Sequence, residues 1–158
     1  MCGIAGVYSL RSEIIPDLPQ RLTVMNQLLR HRGPDGDANW CSSSNTVGLV
    51  HRRLSIIDLS PSGAQPMTDR LGNWIVFNGE IYNYIELRQE LGLQNFTTDS
   101  DTEVILAAYR KWGADCVNHL RGMFAFAIWN ESDRTLFCAR DRFGIKPFYY
   151  MVQQNTFY

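Results

Sequence analysis

The chain has 158 residues, the size of one ordinary domain, and is 45% hydrophobic and 20% charged, which excludes a disordered or low-complexity chain. Fifteen Lys and Arg stand against sixteen Asp and Glu, a formal net charge of −1 that gives no electrostatic case for nucleic acid or an anionic membrane as partner. The longest apolar run, Met123 to Trp129, is too short to span a bilayer as a helix, and Met1-Cys2-Gly3-Ile4-Ala5-Gly6 is not a secretory signal, so the chain reads as soluble and cytoplasmic.

Gly3 to Ser9, with Ile4, Val7 and Tyr8, reads as a buried opening strand. Leu18, Leu22, Met25, Leu28 and Leu29 recur at helical spacing and predict an amphipathic helix that stops at Arg32-Gly33-Pro34-Asp35, where Gly33-Pro34-Asp35-Gly36 must be loop. Val47 to His51 and Trp74 to Phe77 read as strands, the second running straight into Asn78-Gly79-Glu80. Asn83 with Glu86 has the form of a capping box for a helix ending near Gly92. Ser100-Asp101-Thr102-Glu103 is a cleaner capping box before Val104, Ile105, Ala108, Tyr109 and Trp112, with Gly113 as the stop. Beyond Gly122, the segments Met123–Trp129, Thr135–Arg140 and Pro147–Met151 read as strands joined by turns. Gln153 to Tyr158 reads as a turn and one apolar strand without a visible partner, as though the chain were cut inside a domain. Short connections favour antiparallel neighbours, so the expected class is α+β in a single domain.

Cys2, Cys41, Cys116 and Cys138 contain no C-x-x-C pair, and His31, His51 and His119 lack ligand spacing, so no metal site is expected. Cys2 is the most informative residue. If Met1 is removed, Cys2 carries a free α-amine, which titrates near 7.7–8.0 in an unperturbed chain, on the same residue as its thiol. One residue then supplies nucleophile and general base. The other reading is a small hydrophobe in a strand. A thiol attacking an acyl carbon needs donors for the oxyanion, and the Asn78 side chain with the Gly79 N–H can supply them. Taken alone, however, Asn-Gly reads as a hairpin turn. Arg52 and Arg53, at the end of a strand, can fork a carboxylate. Asp101 can pair with an ammonium, or simply complement the helix dipole. Opposite charges received together are what a free α-amino acid requires.

Taken in order, several motifs resemble the glutaminase (class II glutamine amidotransferase) domain of glutamine-hydrolysing asparagine synthetases. They are Met1-Cys2-Gly3-Ile4-Ala5-Gly6, Arg32-Gly33-Pro34-Asp35, Arg53-Leu54-Ser55-Ile56-Ile57-Asp58, Gly63-Ala64-Gln65-Pro66-Met67, Asn78-Gly79-Glu80-Ile81-Tyr82-Asn83, Ser100-Asp101-Thr102-Glu103, Arg121-Gly122-Met123-Phe124-Ala125-Phe126-Ala127 and Arg140-Asp141-Arg142-Phe143-Gly144-Ile145-Lys146-Pro147. The likeness runs from residue 1 to about 150. It implies an N-terminal-nucleophile hydrolase fold, a four-layer αββα arrangement with two stacked antiparallel sheets. It implies Cys2 as nucleophile after loss of Met1, Asn78 and Gly79 as oxyanion hole, and Arg53 rather than Arg52 as the carboxylate ligand. It further implies that Leu54, Ser55, Ile56 and Ile57 line the glutamine pocket and that Glu80 and Asp101 hold the α-amino end. L-glutamine is the implied substrate. A C-terminal synthetase domain is the implied partner. The resemblance also implies that residues 1–158 are a glutaminase domain truncated at its C-terminal end. The Ser-Gly-Gly-x-Asp loop of the synthetase half is absent, so ATP and magnesium are expected outside this chain, which itself takes no cofactor.

Overall fold

The computed structural model describes residues 1–158. One antiparallel sheet contains β1 (Gly3–Ser9), β2 (Gly36–Cys41), β3 (Val47–Arg53), β8 (Val152–Gln153) and β9 (Thr156–Phe157), in the order β2-β3-β1-β9-β8. The other, also antiparallel, contains β4 (Met67–Thr68), β5 (Asn73–Ile81), β6 (Gly122–Asn130) and β7 (Thr135–Arg140), in chain order. Three α-helices complete the fold: α1 (Leu18–Leu28), α2 (Tyr84–Leu91) and α3 (Asp101–Trp112).

The two-residue period of a strand divides the core into three layers of contact. Val7 and Val50 pack with Leu18 and Leu22 of α1 on the outer face of the first sheet. Val47 and Leu49 point the other way and meet Val76, Ala127 and Trp129 between the sheets. Ile75, Phe77, Phe126 and Ile128, on the outer face of the second sheet, pack under Leu87 of α2 and Val104, Ile105 and Ala108 of α3. The order of layers is therefore α1, first sheet, second sheet, α2 with α3. The expected αββα sandwich is present. Gly48 lets α1 close on β3, because a Cβ there would stand 2.7 Å from both methyls of Leu22.

Five local expectations are corrected. Asn78-Gly79 is no turn: β5 continues through it, with Asn78 opposite Ala125 and Gly79 opposite Phe124. Glycine is required there because a Cβ would collide with the Met123 carbonyl oxygen and stand 2.8 Å from the Phe124 Cα. Asn83 precedes α2 but does not cap it, since its side chain donates to the His119 carbonyl (3.0 Å) and accepts the Arg121 N–H (2.9 Å). Pro147–Met151 is no strand; Pro147 offers no N–H, and only Met151 of this stretch exchanges backbone bonds, with Tyr158. The last strand, β9, does have partners, pairing with β1 at Tyr8 and Ser9 and with β8. Finally, β2 was not expected, because Gly36-Asp37-Ala38-Asn39-Trp40-Cys41 is poor in β-branched residues; it is held by its register on β3. Elsewhere Ser100 caps α3 as expected, its Oγ accepting the Thr102 N–H at 3.1 Å, and Gly113 ends it at φ 59°.

Candidate active site

The chain enters through the middle of the first sheet. Ile4 and Tyr8 of β1 pack on the inter-sheet cluster, so Cys2, two residues before Ile4, is directed to the same side. The β1–β3 register, Gly3 opposite Arg52 and Ile4 opposite His51, brings the Cys2 thiol to the residues just beyond β3. There Sγ accepts the Leu54 N–H at 3.3 Å and lies 3.6 Å from the Leu54 carbonyl oxygen. The Cys2 carbonyl in turn accepts from Arg32 Nε at 3.1 Å. The thiol is half-buried at the wall of a cavity of about 440 Å³, within the usual size of small-molecule sites.

That cavity gathers nearly every residue singled out in the sequence. Cys2, Arg53, Leu54, Ile56, Ile57, Asn78, Gly79, Glu80 and Asp101 all line it. Ser55 does not; its N–H donates to Asp35 Oδ2 at 2.8 Å, which pins the start of the 54–66 loop. Arg53 is oriented by that loop, Nη1 donating to the Ser60 carbonyl at 2.8 Å and Nη2 to the Asp58 carbonyl. Only two of five guanidinium protons are spent in this way, so the fork keeps donors for a ligand. The loop itself turns on Asp58, whose carboxyl accepts the Ser60 N–H (3.0 Å) and the Asp99 N–H (3.1 Å). Its hydrogen bond from the Ser60 hydroxyl, above all, holds Asp58 below its ordinary pKa.

Asp101, the first residue of α3, is 5% exposed, with Oδ2 accepting the Ile81 N–H at 3.0 Å. Burial, then the nearby Glu80 carboxylate, raises its pKa to about 6. It is ionised at neutral pH and no cation of the chain pairs with it. Arg53 and Asp101 therefore present opposite charges to one space.

Several lining residues escaped the sequence reading. Gln65 accepts the Phe77 N–H at 2.6 Å and donates to Thr102 Oγ1 at 3.0 Å, bolting the loop to β5 and α3. His51 is 1% exposed, with Nε2 unpartnered; burial first, then Arg53, lowers its pKa to about 4, so the ring is neutral. Lys146 is also buried at the wall. Only the Gly-Ala-Gln-Pro run could have pointed to Gln65; a single His or Lys carries no pattern. A second cavity of about 380 Å³, largely apolar, is lined by inter-sheet residues such as Leu49, Val76 and Ala127 together with Met25 of α1, and shares Asn78 with the first.

A thiol and an Asn-Gly backbone in one cavity of amino-acid size, with Arg53 and Asp101 presenting opposite charges to it, suit acyl transfer from a zwitterionic amide. Residues 1–158 match the family model described as "Glutamine amidotransferase domain". The chain belongs to this family. It is 48% identical, over its whole length, to asparagine synthetase [glutamine-hydrolyzing] 1 of Bacillus subtilis, of which it covers 25%. It is 41% identical, over 99% of its length, to putative asparagine synthetase [glutamine-hydrolyzing] 2 of Methanocaldococcus jannaschii, covering 33% of that protein. Amidase chry2 of Gibberella zeae is 42% identical over 98% of the chain, which covers 25% of it. This glutamine amidotransferase domain thus spans a quarter to a third of the curated relatives it matches. Among solved structures, the glutamine phosphoribosylpyrophosphate amidotransferase of Bacillus subtilis, complexed with ADP and GMP, superposes with a TM-score of 0.74 at 20% identity. The match covers 99% of this chain and 41% of that one, and it shows a shared fold, the N-terminal-nucleophile hydrolase class expected from the sequence. No helix is long and apolar enough to cross a membrane.

Proposed function

We propose that this amidotransferase domain hydrolyses L-glutamine to glutamate and ammonia through a thioester on Cys2. The observation that carries the reading is the single cavity holding the Cys2 thiol, the Arg53 fork, the Asp101 carboxylate and the Asn78-Gly79 segment. Arg53 takes the α-carboxylate of glutamine. Asp101 and Glu80 take its α-ammonium. Leu54, Ile56 and Ile57 flank the methylene stem, with Ser55 at their rim. The side-chain amide then faces Cys2.

While Met1 is attached, the Cys2 nitrogen is an amide and cannot accept a proton, so its removal starts the chemistry. The freed amine takes the thiol proton, and the thiolate attacks the amide carbon. The Asn78 side chain and the Gly79 N–H receive the oxyanion; each such donor is worth roughly 3–4 kcal/mol in a dry site. The ammonium returns its proton to the leaving nitrogen, which departs as ammonia as the C–N bond breaks. Water, deprotonated by the same amine, then attacks the thioester and releases glutamate and the thiol.

In the intact protein we assign the ammonia to a C-terminal synthetase domain, which activates the carboxylate of aspartate with ATP and magnesium. None of that chemistry is assigned to residues 1–158. The names and greater lengths of the Bacillus and Methanocaldococcus relatives support this reading; with it we assign the protein to the cytoplasm. The Gibberella relative, named an amidase, favours a second reading in which the same glutaminase serves another acceptor. Cys2→Ala should abolish ammonia release from glutamine while the full-length protein still makes product from added ammonia. Loss of both would overturn this division of labour, and product analysis with aspartate separates the two acceptors.

A further inference from the structure

Lys146 lies on the segment between β7 and β8 and is 4% exposed, its side chain at the wall of the cavity that holds Cys2. A buried ammonium is unfavourable unless acceptors receive its three protons, and usually one of them is a carboxylate. None serves here: the ion pairs of the structure join Arg52 to Asp37, Arg88 to Asp99, Lys111 to Glu90 and His119 to Asp115. Asp141 spends its carboxylate on the backbone N–H groups of Phe124, Ile145 and Lys146 itself. The one partner of Lys146 Nζ is the thioether sulfur of Met1, at 3.0 Å, a weak acceptor. Met1 is also the residue whose departure frees the nitrogen of Cys2. Removal of Met1 thus strips Lys146 of its contact and frees the Cys2 nitrogen at the wall of the same cavity.

Resting on the reading of Cys2 as nucleophile and base, we propose that Lys146 is a positioning residue for the glutaminase reaction. After Met1 leaves, its ammonium faces the Cys2 amine and holds that amine in the neutral, proton-accepting form. A neighbouring positive charge disfavours a second one. An unperturbed α-amine is only about one-tenth neutral at pH 7, whereas one with a pKa about one unit lower is roughly half neutral. The other charged groups around the terminus divide by sign. Arg32, bonded to the Cys2 carbonyl, and Arg53, bonded to the loop carbonyls, act in the same sense as Lys146. Glu80, Asp101, Asp141 and Asp35 oppose it, and His51 is neutral. Lys146 is the cation whose partner is lost on maturation.

The test uses the full-length protein, with loss of Met1 verified by mass. In Lys146→Met the acid limb of kcat/KM for glutamine should move up by about one pH unit, whereas Lys146→Arg, which keeps the charge, should leave the limb in place. Independently of turnover, the α-amine of the inactive Cys2→Ala protein, carrying labelled alanine, is titrated by NMR. With Lys146 present it should titrate below about 7.5, and Lys146→Met should raise that by about one unit. A limb and an amine that Lys146→Met leaves unmoved overturn the proposal. So does an amine at 7.7–8.0 or above with Lys146 in place, a result that needs no variant at 146 to fold. An unmutated enzyme that releases no ammonia defeats the glutaminase reading instead, and the amine titration still decides the role of Lys146.

Discussion

An ionised Asp101 awaits a cation, because burial and Glu80 have already raised its pKa to about 6. Asp101→Asn should therefore raise KM for glutamine about ten- to a hundredfold, with kcat less affected, as expected for losing a hydrogen-bonded charge pair. In the unmutated protein KM should climb as pH falls below about 6, and steady-state kinetics across pH checks both. The same residue shapes acid stability. Between 3.8 and about 6 the folded chain holds a proton on Asp101 that the unfolded chain has lost, so stability falls as pH rises. His51 works oppositely: its pKa is about 4 folded against 6.5 unfolded, so stability is lost as pH falls through that window. The two slopes nearly cancel from pH 4 to 6. Asp101→Asn leaves His51 uncompensated, and urea denaturation should show stability falling, from pH 6 to 4, about 1.4 kcal/mol per pH unit more steeply than in the unmutated chain. Cys2, Arg53 and Asp101 were legible because each sits in a motif whose neighbours restrict its use. His51 and Lys146 were not, because what distinguishes them is burial without a partner, which only the tertiary structure creates.

At the scale of the element, β5 carries Asn78 and Gly79, the proposed oxyanion donors. Gly79→Ala would drive a methyl into the Met123 carbonyl and the Phe124 backbone, prising β5 from β6. We expect a loss of about 3 kcal/mol or more, seen as a lowered urea midpoint, since the obstacle is backbone and cannot rotate away. The Asn-Gly pair was misread as a turn because local propensity competes with a nine-residue strand register that only β6 reveals. Where the signal was local the reading held: β1, α3 with its Ser100 cap, β6 and β7 stand close to where periodicity placed them. Ser100→Ala should lower stability by about 1 kcal/mol and also loosen Asp101, the next residue, so KM should rise with it.

The whole molecule assembles the pocket from separate layers: Cys2 and Arg53 from the first sheet, Asn78 and Gly79 from the second, and Asp101 from the helix above it. Glutamine bound as proposed would therefore bridge both sheets and α3. Glutamine at a hundredfold over its Kd should stabilise the Cys2→Ala protein by about 2.7 kcal/mol, read as a rise in melting temperature, and Arg53→Ala should abolish the rise. Leu49→Ala, in the inter-sheet cluster, should remove about 2–5 kcal/mol. The α+β class was legible from segregated helices and short connections and the stacked sheets only from the family resemblance, whereas the closing of the first sheet by β8 and β9 depends on two-residue strands too short to show a pattern.

The course of β1 has a practical corollary. Because Met1 stands half exposed at the wall of the cavity, a purification handle or fluorescent fusion placed ahead of Cys2 would crowd the pocket and leave its nitrogen acylated. Labels belong at the opposite end, and a preparation carrying an uncleaved leader should fold normally yet stay silent.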